Sequence, residues 1–485
     1  MKYIGNVQSQ ANAEVFAVAS GALPDGKPVI VNSNGTVSLV AATNISESLG
    51  SSAQANSSEV IYTGTAYDET SQKIVMVYCD YGNSTYGTAV VGTVSGTSIS
   101  FGTPVVYEAS KSFYNRVVYD PDSGKVVIAY AGTTNQRGYA RVGTVSGTSI
   151  SFGTRAQFET GSIKYTAQTY DTTSNKVIIA YQDDSNGDGG TAVVGTVSGT
   201  DISFGTPVVF NSSATLFTDV AHDSVADRTV ITYKNSGNSN YGTAIVGTVS
   251  GTAISFGTAV VFESDVTNNT SVAYDPVSGN VLVTYGDGGN SSQGTAIVGS
   301  VSGTSISFGS PVVFSTPSTS RSPSVFMSNT QNMIVAIQSA GSPGGTVKTA
   351  TITGTSVSFG SAFTFDSDDV TWVSVAYNPD GNNLVIGYSD YGGSTRNAMS
   401  AVVYQNPYTV TNVTTENFLG FTNAAYADTQ TATIQAGGAI NTGQSSLTIG
   451  QQYFVQKDGT IGTTAAIPSV IAGTAVSATD LIVKG

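Results

Sequence analysis

Along the middle of the chain, apolar and polar residues alternate in short runs, as in "NRVVYD", "KVVIAY", "YARVGTV" and "SISFGTRAQF" within residues 115–158. Period-two alternation over runs this short predicts strands, and no 3.6-residue period appears that would predict helices. The breaks between runs, such as "PDSG" and "SGTS", carry the Gly, Ser, Asn and Pro that suit tight turns. Each group of four runs therefore predicts a four-stranded antiparallel sheet.

The groups repeat. Phe101, Phe152, Phe204, Phe256, Phe308 and Phe359 recur at spacings of 51 or 52 residues. A second anchor, Tyr-Asp or its variants, gives Asp68, Asp120, Asp171, Asp223, Asp275, Ser328 and Asn378, which makes seven copies. Four strands in about fifty residues, repeated in this way, predict an all-β fold, a seven-bladed β-propeller. A β-solenoid is the rival, but its rungs are shorter and its strands parallel.

The arithmetic also predicts how the ring closes. In most copies the "SFG" aromatic precedes the next Tyr-Asp aspartate by 19 residues, as from Phe101 to Asp120, and the same offset leads from Asp68 back to Leu49. The seventh copy reaches "AVVYQNP" with no "SFG" strand of its own. The propeller is thus predicted over residues 44–406, with residues 44–56 completing the last blade as its N-terminal closing strand. Residues 1–43 and 407–485 fall outside the pattern and are predicted to form one small β module from the two termini.

Charge narrows the partners. With 18 Lys+Arg against 32 Asp+Glu and a net charge of −14, no basic stripe exists to neutralise phosphates, so no nucleic acid is expected. No run approaches the roughly 20 apolar residues of a membrane span, so no membrane insertion is expected. The opening "MKYIGNVQSQAN" lacks the apolar core of a secretory signal, which predicts synthesis in the cytoplasm without a signal peptide. The single cysteine, Cys79, excludes an intrachain disulfide and reads as a small buried group.

The flanks resemble each other. "GKPVIVNSNGTV" from Gly26 lies over "GQQYFVQKDGTI" from Gly450 without a gap, and each reads as a hairpin turning at Asn34-Gly35 or Asp458-Gly459. The tail from "ENFLGFTNAAYADTQTATIQ" to "SATDLIVKG", with the opening "ALPDGKPVIVNSNGTVSLV", resembles the terminal modules of virion structural proteins of tailed bacteriophages, particularly marine and cyanobacterial ones. That resemblance implies a structural protein located on the virion: a tail fibre or spike, or a fibre or knob on the head. It would hold other virion proteins through the terminal β module and present the propeller to a host cell-surface glycan or receptor. A homo-oligomer is compatible with this, since fibres and spikes are usually trimers, although no coiled-coil heptad or collagen repeat enforces one. Two rivals follow: a capsid or tail decoration that binds no receptor, and a glycan-degrading enzyme.

Comparison of the seven copies suggests a binding face. The "DPDSG" and "SGTS" turns barely change, whereas the segments before each Tyr-Asp strand ("EASKSFYN", "NSSATLFTD", "DSDDVTW") and after "VIAY" ("CDYGNSTYG", "QDDSNGDGG") vary widely and are expected as loops on one side. Six positions before the Tyr-Asp aspartate stand Tyr62, Tyr114, Tyr165, Phe217, Asn269, Ser322 and Trp372. Aromatic faces at a concave mouth can stack on sugar rings, and they can equally pack blade against blade. Trp372, the only tryptophan, is the leading candidate, with Arg116 and Arg321 near the same rim placed to meet acidic sugars.

Metal and catalytic signals are sparse. "DSNGDG" offers Asp184, Asn186 and Asp188 as ligands for Ca2+, but the twelfth position is Gly195 rather than Glu, so it is no EF-hand, and an acidic solvated turn reads as well. One histidine, His222, and one cysteine leave no basis for zinc chemistry or for a nucleophilic triad. A glycosidase needs two carboxylates, and Asp219, Asp366, Asp368 and Asp369 lie near the predicted rim. Sialidase-type propellers carry Ser-x-Asp-x-Gly-x-x-Trp boxes and an arginine cluster, and neither is visible in the sequence. A non-enzymatic protein is the expectation.

Overall fold

The computed structural model describes residues 13–340, 344–390, 398–466 and 468–484, so the opening "MKYIGNVQSQAN" lies outside the described residues. Among the described residues all regular structure is strand apart from four 3-10 turns. Glu47–Asn406 forms one compact unit, and the two flanks together form another.

Among its described residues the larger unit contains 30 strands in one hydrogen-bonded series. In the second copy, Lys125–Gly132 pairs with Arg137–Ser146, which pairs with Ser149–Phe152. The "KVVIAY" strand is buried at seven of its eight positions, because both faces are covered by neighbouring sheets. That is why it is apolar without alternation. Val127 and Ala129 of this strand share a core with Ile179 and Tyr181 of the next copy. A side chain such as Val127 or Ile179 contributes about 1.5–3 kcal/mol by burial.

The fourth strand departs from the sequence reading. "SISFGTRAQF" is not one strand: it breaks at Gly153, and Ala156–Asp171 then runs 16 residues. The first half of that strand pairs back onto Arg137–Ser146 (Tyr139 opposite Gln157), and the second half pairs forward with Lys176–Asp183 (Gln168 opposite Ile179). One strand thus serves as the outer edge of one sheet and the first strand of the next.

The break requires glycine. A Cβ on Gly153 would lie 1.8 Å from the carbonyl oxygen of Thr200, in the "SGT" turn of the following copy. Gly102 on Thr148 and Gly205 on Thr252 make the same approach at 1.9 Å. The near-identical phrase "GTVSGTSISFG" therefore acts as a register lock between consecutive units.

At the ends of the repeat region, Ser48–Leu49 pairs with Ala398–Gln405, and Ala53 lies opposite Ala401 before the rest of Ala53–Asp68 pairs with Lys73–Asp80. Residues 44 and 45, predicted to belong to this closing strand, instead lie in Ala42–Ile45, paired with Tyr408–Thr411 in the flank unit. The unit boundary falls accordingly after Ser46.

In the flank unit Glu14–Val18, Thr431–Gln435, Phe418–Thr422, Pro28–Val31 and Val37–Leu39 form a five-stranded sheet in that order. A second five-stranded sheet contains Gln452–Val455 and Val470–Ala475 at its centre. The two similar hairpins share one turn. Gly35 and Gly459 adopt φ of 81° and 77°, while Asn34 and Asp458 are not in the left-handed region. Asn34 Oδ1 accepts from the amide and hydroxyl of Thr36, and Asp458 Oδ1 accepts likewise from Thr460. The turns are thus glycine-bulge turns rather than two-residue turns, because only the glycine reverses its backbone.

Candidate functional site: an aromatic collar over two arginines

The innermost strand of each unit carries a bulge. In Ala53–Asp68 the register slips between Ile61 and Gly64, and Tyr62 sits in the slip with φ of 54°. Tyr114, Tyr165, Phe217, Asn269 and Trp372 occupy the same place with φ between 46° and 54°. Left-handed backbone costs a non-glycine residue about 1–2 kcal/mol and suits Asn best, so five bulky rings here are outliers. Hydroxyls hold the bulges from unit to unit: Thr63 donates to the Trp372 carbonyl, Thr166 to that of Tyr114, and Thr270 to that of Phe217. Ser322 does not follow, because Pro323 restricts it and splits the strand into Val312–Arg321 and Ser324–Met327.

The rings form a continuous file. Centroid separations are 4.3 Å for Trp372 to Tyr62, 4.5 Å for Tyr62 to Tyr114, 5.3 Å for Tyr114 to Tyr165 and 5.1 Å for Tyr165 to Phe217. Arg321 lies over Trp372 at 4.4 Å, and the Lys234 ammonium lies 5.7 Å from the Phe217 ring. The rings pack on one another and also line an open recess of about 370 Å³. That size lies within the roughly 300–1,000 Å³ of small-ligand sites.

A second cavity, of about 260 Å³, adjoins the collar and contains Arg116, Arg321 and Asp219. Asp219 Oδ2 accepts from the Ser271 hydroxyl and the Val272 amide, both at 2.9 Å. Neither arginine is in an ion pair among the described residues. Burial lowers the pKa of Arg116; that of Arg321 is pulled down to about 9 by burial and then by Arg116. Burial likewise raises the Asp219 carboxyl, against its hydrogen bonds and Arg116. Two arginine side chains thus meet one aspartate here, in a chain of net charge −14. The sequence shows no arginine cluster because residues 116 and 321 are brought together only by the fold. Of the four rim carboxylates singled out in the sequence, Asp219 lines this cavity and Asp366, Asp368 and Asp369 do not.

Other expected features differ. "EASKSFYN" and "NSSATLFTD" are not loops but bulged parts of Val105–Asp120 and Val208–Asp223. Their variability is tolerated because bulges there release the pairing register. The expected calcium loop is a 3-10 turn, Asp184–Asn186, capped by Asp183, and the same turn recurs at Tyr81–Asn83, Ser236–Asn238 and Gly288–Asn290. Asp184 Oδ2 is held by the Lys164 ammonium at 2.8 Å and the Ser162 hydroxyl at 3.1 Å, so a cation among Asp184, Asn186 and Asp188 would compete with Lys164. Cys79 is buried, and burial pushes its thiol up to about 12.

Lys234 and the remainder of the polar cavity wall, Ser271 and Ser374 among it, were missed in the sequence. Both can be read by columns: two residues after the collar stand Gly64, Arg116, Asp219, Ser271 and Ser374, all lining the cavity. Lys234 occupies the position held by Cys79, Ala131 and Gln182 in other copies.

No family model and no curated protein matches the chain. Solved structures similar to it include a protein of unknown function from Dyadobacter fermentans (TM-score 0.46, 11% identity, covering 75% of this chain and 99% of that one). They also include the leech intramolecular trans-sialidase (TM-score 0.44, 9% identity, 73% and 69%) and the NanB sialidase of Streptococcus pneumoniae (TM-score 0.43, 9% identity, 73% and 69%). At these scores the likeness carries no argument about activity. The fold of the larger unit is all-β and propeller-like.

Proposed function

We propose that the chain is a virion structural protein of a tailed bacteriophage, a fibre, spike or knob, whose larger unit is a seven-bladed propeller closed by its N-terminal strand. Its collar face binds a host-surface glycan bearing carboxylate or sulfate groups, and its flank unit attaches it to the particle. Seven Tyr-Asp copies and the pairing of Leu49 with Tyr404 support the closed ring. The terminal phrases quoted above, with their doubled hairpin turn, support the virion assignment.

One observation carries the ligand reading. Five rings held in left-handed backbone border a recess that adjoins two guanidiniums with no ion pair among the described residues. Packing alone does not require rings at positions that favour Asn or Gly, and rings with cations are what an anionic sugar needs. The test is binding of sulfated, carboxylated and neutral oligosaccharides to the wild-type chain, Trp372→Ala and Arg116→Gln. Anionic sugars are expected to bind saturably, with a loss of about tenfold or more in each variant; equal affinity for neutral sugars, or variants that bind unchanged, would remove the collar as the site.

A further inference from the structure

The only histidine stands where five other copies have Tyr67, Tyr119, Tyr170, Tyr274 and Tyr377. A tyrosine there bonds to the preceding unit, as Tyr119 does with the Thr70 hydroxyl at 2.7 Å. The His222 side chain is 4% exposed, yet neither ring nitrogen has a hydrogen-bond partner among the described residues. A buried imidazole left unpaired is costly, which calls for an explanation.

Its surroundings supply one. Nε2 lies 3.4 Å from Asp171 Oδ1, at the end of the preceding unit's Ala156–Asp171 strand. Asp227, exposed in the turn that follows His222, brings a third donor, and one ligand atom from each residue lies within 4.8 Å of the other two. A separation of 3.4 Å is long for a hydrogen bond. It is close to the edge of a tetrahedron whose metal–ligand bonds are about 2.0–2.1 Å, roughly 3.3–3.4 Å. Asp171 Oδ1 also accepts the amides of Thr173 and Ser174 at 2.9 and 3.0 Å, which fixes the carboxylate beside the ring.

We propose that Asp171, His222 and Asp227 bind one divalent transition-metal ion, with Zn2+ the best match, and that the ion clips one repeat unit to the next. An imidazole with two carboxylates suits zinc better than calcium or magnesium, which take oxygen donors. Water fills the remaining position. The sequence excluded zinc for want of histidine and cysteine, but the fold makes one histidine sufficient by adding carboxylates from two units. His222 lies five residues beyond Phe217, roughly 16 Å along the strand, so the site is separate from the collar and independent of the glycan reading.

The test is calorimetric titration of the EDTA-treated full chain with Zn2+, together with thermal melts and the visible absorption of bound Co2+. His222→Tyr and Asp227→Asn are the variants. One Zn2+ per chain is expected, with a rise in melting temperature and a Co2+ spectrum of low coordination number. Each variant should lose at least about tenfold in affinity and the melting shift. His222→Tyr installs the residue that five other copies use, and Asp227 is exposed, so if the first variant fails to fold the second decides alone. No binding at about millimolar Zn2+, or unchanged binding in Asp227→Asn, would overturn the site.

Discussion

Tyr404 donates its hydroxyl to the Glu47 carboxylate at 2.6 Å, across 357 residues of chain. Beside it the Gly50 amide donates to the Val403 carbonyl at 2.9 Å, and a Cβ on Gly50 would lie 1.7 Å from the carbonyl oxygen of Thr97. Gly50 therefore meets the last copy on one side and the first on the other, as Gly102 or Gly153 meets its own neighbours.

This relationship separates two glycines that look alike in sequence. Gly50→Ala drives a methyl into backbone and is expected to cost about 1–3 kcal/mol, seen as a melting temperature lower by a few degrees. Gly360, in the last "SFG", has nothing nearer to a Cβ than Thr349 atoms at 3.8 Å. Gly360→Ala is expected to stay within about 0.5 kcal/mol of wild type. Equal losses in the two variants would mean that the closing strand is not seated.

The collar can be tested without emptying the fold. Tyr114→Asn removes ring contacts with Tyr62 and Tyr165, worth about 0.5–1.5 kcal/mol each. It also relieves about 1–2 kcal/mol of left-handed strain, as Asn269 does naturally at φ of 46°. The strain relief offsets only part of the lost ring contacts and burial, so stability should fall by no more than about 3 kcal/mol in a denaturant melt, while affinity for anionic sugar falls severalfold. A loss of more than about 3 kcal/mol with unchanged sugar binding would make the rings packing alone.

Much of this architecture is legible in the chain because each unit repeats the same physical problem. The 19-residue offset that leads from Asp68 to Leu49 reflects one strand shared between two sheets, and the structure pairs Leu49 with Tyr404. What spacing does not show is where that strand bends, since the break at Gly153 answers to Thr200 in another copy. The aromatic column is visible, but its strain is not, because φ at Tyr62 is set by a one-residue slip against Lys73–Asp80. The meetings of Arg116 with Arg321 and of His222 with Asp171 and Asp227 depend on which units are neighbours and which faces turn inward.

The cavity charge gives a pH dependence. Burial raises the Asp219 carboxyl above its unfolded value, so on acidification the folded chain takes up this proton before the unfolded chain does. The stabilisation from that proton is gained as pH falls through the raised value and lost as pH rises through it. For an anionic ligand the same proton removes the opposing charge beside Arg116 and Arg321. Affinity for a sulfated sugar, which stays ionised, is expected to rise on the order of tenfold on acidification, since a unit charge about 10 Å away contributes roughly 1.5 kcal/mol at an effective dielectric near 20. Asp219→Asn should bind at the high level throughout, because its amide oxygen can still accept from Ser271 and Val272. A wild-type profile parallel to that of Asp219→Asn would exclude this carboxylate as the titrating group.

The flank unit presents a different kind of surface. Glu14–Val18 ends its sheet and pairs, among the described strands of that sheet, with Thr431–Gln435 alone. Phe16 is 68% exposed, and Val15 and Val18 are exposed beside it. An apolar edge strand is a template for pairing with another chain. If this edge attaches the protein to a particle, Phe16→Lys should leave the melting temperature of the isolated chain nearly unchanged, since an exposed substitution shifts stability by about 0.5 kcal/mol or less. Copies of the variant in purified particles, counted by quantitative mass spectrometry against wild type made in the same cells, should fall severalfold. Wild-type incorporation would clear this edge of the attachment role.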